Sequence, residues 1–282
     1  MITRKKNIKL EGKHQKPILA DVFYIKSQEK KPIVIFCHGY KGFKDWGAWD
    51  LVADAFANAG FLFVKFNFSH NGGTVEQPID FPDLEAFGNN TYIKELDDLE
   101  TIIDWVSGTD FGYKGMADTA EISLIGHSRG GGIVTIKAAE DPRISKLISW
   151  AGVSDYKERF PKGKAFELWN KKGVYYIENG RTKQQMPHYL GFYTSFIDNE
   201  ERLTIKKAAK KIKIPHLIIH GTHDPTVSLE EGQNIHSWNP NSELFLIEGA
   251  DHVFGAKHPW SHNEMPAYLK EITVKSIDFA LL

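Results

Sequence analysis

Apolar residues along this chain gather into short runs that alternate with amphipathic stretches, and that alternation sets the expected elements. Pro32 to Cys37 and Phe61 to Phe68 are almost continuously apolar and rich in β-branched or aromatic residues, as in strands covered on both faces. Between them, Trp46 to Ala59 spaces Trp49, Leu51, Val52, Ala55 and Phe56 at helical intervals and stops at Gly60. A longer helix is predicted over Thr91 to Val106, where Ile93, Leu96, Leu99, Ile102, Ile103 and Val106 form one stripe. The rhythm continues with strands at Glu121 to Ile125, Lys146 to Val153, Pro215 to His220 and Glu243 to Ile247. Helices are predicted at Arg129 to Ala139, Ser228 to Ile235 and from Glu264 onward. Ile8 to Leu10 and Ile18 to Ile25 predict an antiparallel pair at one edge. The whole implies an α/β fold with a mostly parallel sheet and helices on both faces.

One stretch departs from the pattern. Ser154 to Ile214 has no apolar strand but many aromatics, among them Phe160, Phe166, Trp169, Tyr175, Phe192 and Phe196. A structureless loop of that length is uncommon in a compact domain. The expectation is a small helical lid, residues 154–214, inserted into a core made of residues 1–153 and 215–282. Its rings either pack into a small core of their own or line a pocket. The lysines from Lys206 to Lys213 read as a solvated helix face.

Composition narrows the function classes. Lys+Arg 35 against Asp+Glu 36 leaves a net charge of −1, so no global field favours nucleic acid or anionic lipid. Cys37 is the only cysteine, which excludes an intrachain disulfide and a cysteine metal cage. The apolar runs are strand-sized, too short for a membrane span of about 20 residues. The N-terminal stretch never reaches the apolar core of a signal peptide. A cytoplasmic protein with no membrane partner is expected.

The most informative segment is Gly126-His127-Ser128-Arg129-Gly130, a G-x-S-x-G placed directly between a predicted strand and a predicted helix. A sharp strand-to-helix turn crowds its backbone, and glycines at 126 and 130 relieve the crowding so that Ser128 faces solvent with its hydroxyl. The helix N-terminus behind it favours a developing oxyanion. A serine hydroxyl needs a base, and the base needs a carboxylate to fix its tautomer. Asp224 follows the strand Pro215 to His220, and His252 follows the strand Glu243 to Ile247. The chain order Ser128, Asp224, His252 is the one expected for α/β-hydrolases. Asp155 is the reserve acid, and Asp251 a rival that adjoins His252.

With His38-Gly39-Tyr40-Lys41-Gly42, His220-Gly221-Thr222-His223-Asp224 and Gly249-Ala250-Asp251-His252 added to that motif, the chain resembles the α/β-hydrolase superfamily. Within it the chain is similar to the bacterial dienelactone-hydrolase-like and cinnamoyl (feruloyl) esterase-like serine hydrolases, from about residue 15 onward. The resemblance implies an α/β-hydrolase fold and an oxyanion hole made by the backbone N–H groups of Arg129 and Tyr40. It implies hydrolysis of a carboxylic ester through an acyl-enzyme, on a small-molecule substrate with an aromatic or short acyl group. The same machinery serves peptidases, thioesterases and acyltransferases, and an inactive hydrolase scaffold serves as a binding protein; these stay open at this point.

Other motifs lead nowhere. Ser154 to Lys157 matches S-x-x-K without its companion motifs, and His258 with His262 lacks the glutamate and the regular helix of a zinc site. No phosphate-binding glycine loop is present, so no cofactor or metal is implied. His70 and Asn71 either form a turn with Gly72 and Gly73 or line the pocket.

Overall fold

The computed structural model describes residues 1–282. The chain opens with β1 (Ile2–Leu10) and β2 (Ile18–Ile25), paired antiparallel. β1 begins well before the expected Ile8 because its first half is a polar edge. Apolar patterning cannot see residues such as Arg4 and Lys6, whose side chains reach Asp54 and Asp50. The α/β alternation then follows as β3 (Lys31–Cys37), α1 (Trp49–Asn58), β4 (Leu62–Asn67), α2 (Leu84–Gly88) and α3 (Tyr92–Ser107). It continues with β5 (Ala117–His127), α4 (Arg129–Glu140) and β6 (Ile144–Trp150). Thr91 starts α3 by accepting the N–H of Lys94 through its hydroxyl, a cap worth about 1 kcal/mol.

The segment between β6 and the next sheet strand is not wholly helical. It contains α5 (Lys164–Lys172), a hairpin of β7 (Val174–Glu178) and β8 (Gln185–Tyr189), then α6 (Leu190–Asp198), α7 (Glu200–Leu203) and α8 (Ile205–Lys211). Both strands are five residues long; β7 carries the run Val174-Tyr175-Tyr176-Ile177 on a partly exposed ribbon, and β8 buries Met186, Pro187 and His188, so neither reads as a core strand of the large sheet. The chain closes with β9 (His216–Gly221), α9 (Leu229–Trp238), β10 (Ser242–Ile247) and α10 (Ala267–Leu281).

Eight strands form one sheet in the order β1-β2-β4-β3-β5-β6-β9-β10. β1, β2 and β4 pair antiparallel, and every pair from β4 to β10 is parallel. Because strand side chains alternate between faces, one strand feeds two cores. Ile33, Ile35 and Cys37 of β3 pack with α3 and α4, whereas Val34 and Phe36 pack with α1 and α10. The aromatics of the 154–214 segment do not form a separate core: Tyr156, Phe160, Trp169, Phe192 and Phe196 join the α3–α4 layer. Tyr156 stacks on Tyr92 of α3 at 3.8 Å between ring centres. No helix is long and apolar enough to cross a membrane.

Candidate active site

β5 runs into α4 with a single residue, Ser128, at the turn. Its φ of 58° and ψ of −120° lie in a region side chains rarely occupy, a strain of about 1–3 kcal/mol. Neighbours hold it there. The Ser128 N–H donates to Trp150 O of β6, and its carbonyl accepts from Gly131 and Val153. The flanking glycines are required by space: a Cβ on Gly126 would lie 2.3 Å from Gly130 O, and one on Gly130 2.6 Å from Cys37 O and His38 O.

The two loops expected to supply the partners converge on this turn. His252 Nε2 lies 3.0 Å from Ser128 Oγ, and His252 Nδ1 lies 2.7 Å from Asp224 Oδ2. Asp224 is acceptor-only when ionised, so Nδ1 carries the proton and Nε2 is free to accept from the serine. The other Asp224 oxygen accepts the N–H groups of Thr226 and Val227 at 2.8 and 2.9 Å. Burial alone would raise this carboxyl. The bond and charge of His252, with those two amides, instead hold it below the usual carboxylate range.

The expected solvent-facing hydroxyl is corrected in one respect. Ser128 is 8% exposed and borders two cavities rather than open solvent. The 154–214 segment covers it, which the local motif cannot reveal. The larger cavity, of about 190 Å³, is lined by Tyr40, Tyr92, Arg129, Tyr175, His188 and Phe192 among others. The smaller, of about 110 Å³, is lined by His38, Gly39, Tyr40, Lys41, Trp46, Trp49, His127 and His252. Ser128 and Tyr40 border both.

Tyr40 lies in the loop after β3, and its backbone N–H makes no hydrogen bond within the protein. Arg129 is the first residue of α4, where the helix offers its N–H no acceptor one turn back. The Tyr40 loop is anchored from behind by buried charges. Lys44 donates its N–H to Asn67 Oδ1 at 2.7 Å and its ammonium to Asp21 at 2.9 Å. The Lys65 ammonium joins Lys44 O and Asp45, both at 2.7 Å.

Other side chains at the site escaped the sequence reading. The His127 ring donates from Nε2 to His252 O at 2.8 Å, bolting the His252 loop to the Ser128 turn. Burial, reinforced by neighbouring His252, lowers His127 to about 3, so it stays neutral and keeps this single donor. The Arg129 guanidinium pairs with Glu95 at 3.2 Å and lies 4.6 Å from the Tyr40 ring centre and 5.2 Å from that of Phe192. Tyr40 Oη donates to His188 Nε2 at 2.8 Å. The only available signal for these was adjacency to the motif, which does not fix where a side chain points.

The remaining candidates lie apart. Asp251 accepts from Val253 and Gly255 within its own loop, and Asp155 accepts from Lys157, so neither touches the His252 ring. Asn71 accepts the N–H of Gly73 and shapes a turn, and neither it nor His70 borders the cavities at Ser128. His258 Nδ1 accepts from Gly47.

No protein-family model matches the chain. Two Escherichia coli relatives, each an uncharacterized 31.7 kDa protein in the traX-finO intergenic region, are 29% and 28% identical over 126 residues. The match spans 45% of this chain and 39% of theirs. Among solved structures, ferulic acid-bound Est1E from Butyrivibrio proteoclasticus is similar over 97% of this chain and 98% of its own. Its TM-score is 0.74 at 19% identity. A dienelactone hydrolase from Anabaena variabilis matches over 99% and 97%, with a TM-score of 0.63 at 15% identity. A puromycin-hydrolyzing peptidase from Mycobacterium tuberculosis matches over 98% of this chain and 38% of its own, with a TM-score of 0.67 at 18% identity. The fold is that of the α/β-hydrolases.

Proposed function

We propose that the protein is a serine hydrolase that cleaves a carboxylic ester of a small molecule through an acyl-enzyme. The observation that carries this reading is the unbroken hydrogen-bonded line Ser128–His252–Asp224 at the floor of a cavity. His252 takes the proton of Ser128 as the hydroxyl attacks the ester carbonyl, and Asp224 holds the imidazole in the required tautomer. The N–H groups of Tyr40 and Arg129 bind the oxyanion; one such donor is typically worth about 10²–10³ in rate. His252 returns the proton to the leaving oxygen, and water then repeats the sequence on the acyl-enzyme. Segment 154–214 acts as a lid whose rings wall the larger cavity. That cavity is small for a ligand site, which favours a short or single-ring acyl group. The similarity to a structure holding ferulic acid points the same way.

Replacing Ser128 by alanine tests the mechanism. Hydrolysis of p-nitrophenyl acetate is expected to fall by about 10⁴-fold or more, with an unchanged circular dichroism spectrum. A fluorophosphonate probe should label the native protein and spare the variant. Native-level turnover by Ser128→Ala would remove the proposal. Thioesters and aminoacyl amides in the same assay separate ester cleavage from related acyl transfers.

A further inference from the structure

The two cavities that meet at Ser128 differ in size, in lining and in how their cations are matched. On the ester-hydrolase reading above, the leaving oxygen must receive its proton from His252 Nε2. His252 borders only the smaller cavity. The leaving alcohol therefore sits there, and the acyl group occupies the larger, aromatic one.

In the acyl cavity the cations have counter-ions: Arg129 pairs with Glu95, and Arg159 with Glu231. In the leaving-group cavity, Lys41 has none. No carboxylate lies within ion-pair distance of its ammonium, and the group makes no hydrogen bond to the protein. It is half-buried, 5.2 Å from the Tyr40 ring centre, on a turn whose φ at Lys41 is 54°. Burial lowers its affinity for a proton, and no acidic neighbour offsets that effect. A partly desolvated cation with an aromatic neighbour but no anionic partner is unfavourable, and an anionic ligand relieves the cost.

We propose that Lys41 receives an anionic group, carboxylate or phosphate, carried by the leaving alcohol, so that the preferred esters release an alcohol that is itself an anion. The overall step is ordinary hydrolysis. The ester C–O bond breaks, water supplies the hydroxyl of the acid product, and its remaining proton leaves on the alcohol. Lys41 takes no part in bond making and acts on binding and orientation alone.

The test uses a matched set with one acyl group: methyl 4-acetoxybenzoate, which is neutral, 4-acetoxybenzoate, and 4-acetoxyphenyl phosphate. Each kcat/KM is divided by the rate of hydroxide-catalysed hydrolysis to remove intrinsic reactivity. The native protein should favour the anionic esters, with the better of the two identifying the group. A partly exposed ion pair is worth on the order of 1 kcal/mol, so Lys41→Met should lower the anionic-to-neutral ratio by about 5-fold. Lys41→Glu should invert the preference, Lys41→Arg should keep it, and salt at about 0.5 M should narrow it. An unchanged ratio in Lys41→Met, with Ser128-dependent turnover of the neutral ester, overturns the role of Lys41 and leaves the hydrolase reading standing. If no ester is turned over, the hydrolase reading fails, and binding still decides on Lys41. The binding readout is quenching of Trp46 and Trp49 fluorescence by 4-acetoxybenzoate, in Ser128→Ala with and without Lys41→Met. A several-fold weaker Kd in the double variant supports the proposal; an equal Kd, or no binding, overturns it.

Discussion

Asn90 Oδ1, Glu95 Oε2, Asp98 Oδ1 and His220 Nδ1 are buried in the α/β frame without a hydrogen-bond partner, and Ser128 sits there on a strained backbone. In the 154–214 segment no buried side-chain atom is left unpaired in this way. Its Trp169 indole N–H donates to His188 O, and both His188 ring nitrogens have partners. The difference is one of packing. The frame is clamped by strand ladders and by helices on both faces, so it can hold costly arrangements. The segment lies on one side of the frame and stays in place through satisfied polar contacts and shared rings. Changes in the frame should therefore strike rate or stability hard, and changes at the contacts with the segment should affect binding.

The largest effect is expected at Asp224. Asp224→Asn keeps the shape and reverses the tautomer His252 needs, a change that costs about 10⁴-fold in kcat in comparable relays. Because the Asp224 carboxyl is held below the usual range, it is ionised throughout neutral pH. The loss is read from kcat at neutral pH, where that carboxylate is ionised in the native protein. A loss under tenfold would falsify the role given to the frame's loops.

Next comes Asp98 on α3. Burial, opposed only in part by the Ser69 N–H at 2.7 Å, raises its carboxyl from 3.8 to about 7. Between those values the folded protein binds more protons than the unfolded chain, so stability falls as pH rises from about 4 to about 7 and then levels. Asp98→Asn mimics the protonated form. It should stabilise the protein by about 2–4 kcal/mol at pH 8, with the gain vanishing near pH 4, as read by urea denaturation. A constant gain at both pH values would mean that Asp98 is not an uncompensated charge.

The same contrast explains what was legible in the sequence. Strand and helix alternation, the G-x-S-x-G turn, and the loops bearing Asp224 and His252 follow from patterns that backbone geometry imposes within a few residues. The β7–β8 hairpin was marked only in part: Val174-Tyr175-Tyr176-Ile177 is a β-branched and aromatic run that the expected helical lid absorbed, whereas Gln185-Met186-Pro187-His188 carries no apolar run. The bond from His127 to His252 O and the pairing of Arg129 with Glu95 join residues distant in sequence. They depend on side-chain direction, which sequence spacing does not encode. The shelter over Ser128 was hidden for the same reason, since it comes from residues many positions downstream.

The smallest effect is expected where frame and segment touch. Burial lowers His188 to about 3, so the ring is neutral; its Nδ1–H donates to Met186 O, and Nε2 accepts from Tyr40 Oη. Tyr40→Phe leaves that acceptor unpaired at a cost of about 1–3 kcal/mol, while the Tyr40 backbone N–H remains in place. If Tyr40 serves the oxyanion through its main chain, kcat should change by no more than about 3-fold, while KM rises as the β8 wall loosens. Because His188 is neutral far below neutral pH, the KM ratio of variant to native should be flat from pH 6 to 8. A kcat loss approaching the 10²-fold typical of a missing oxyanion donor would mean that the Tyr40 side chain sets the loop's backbone, and that the segment holding it shapes the chemistry as well as the binding.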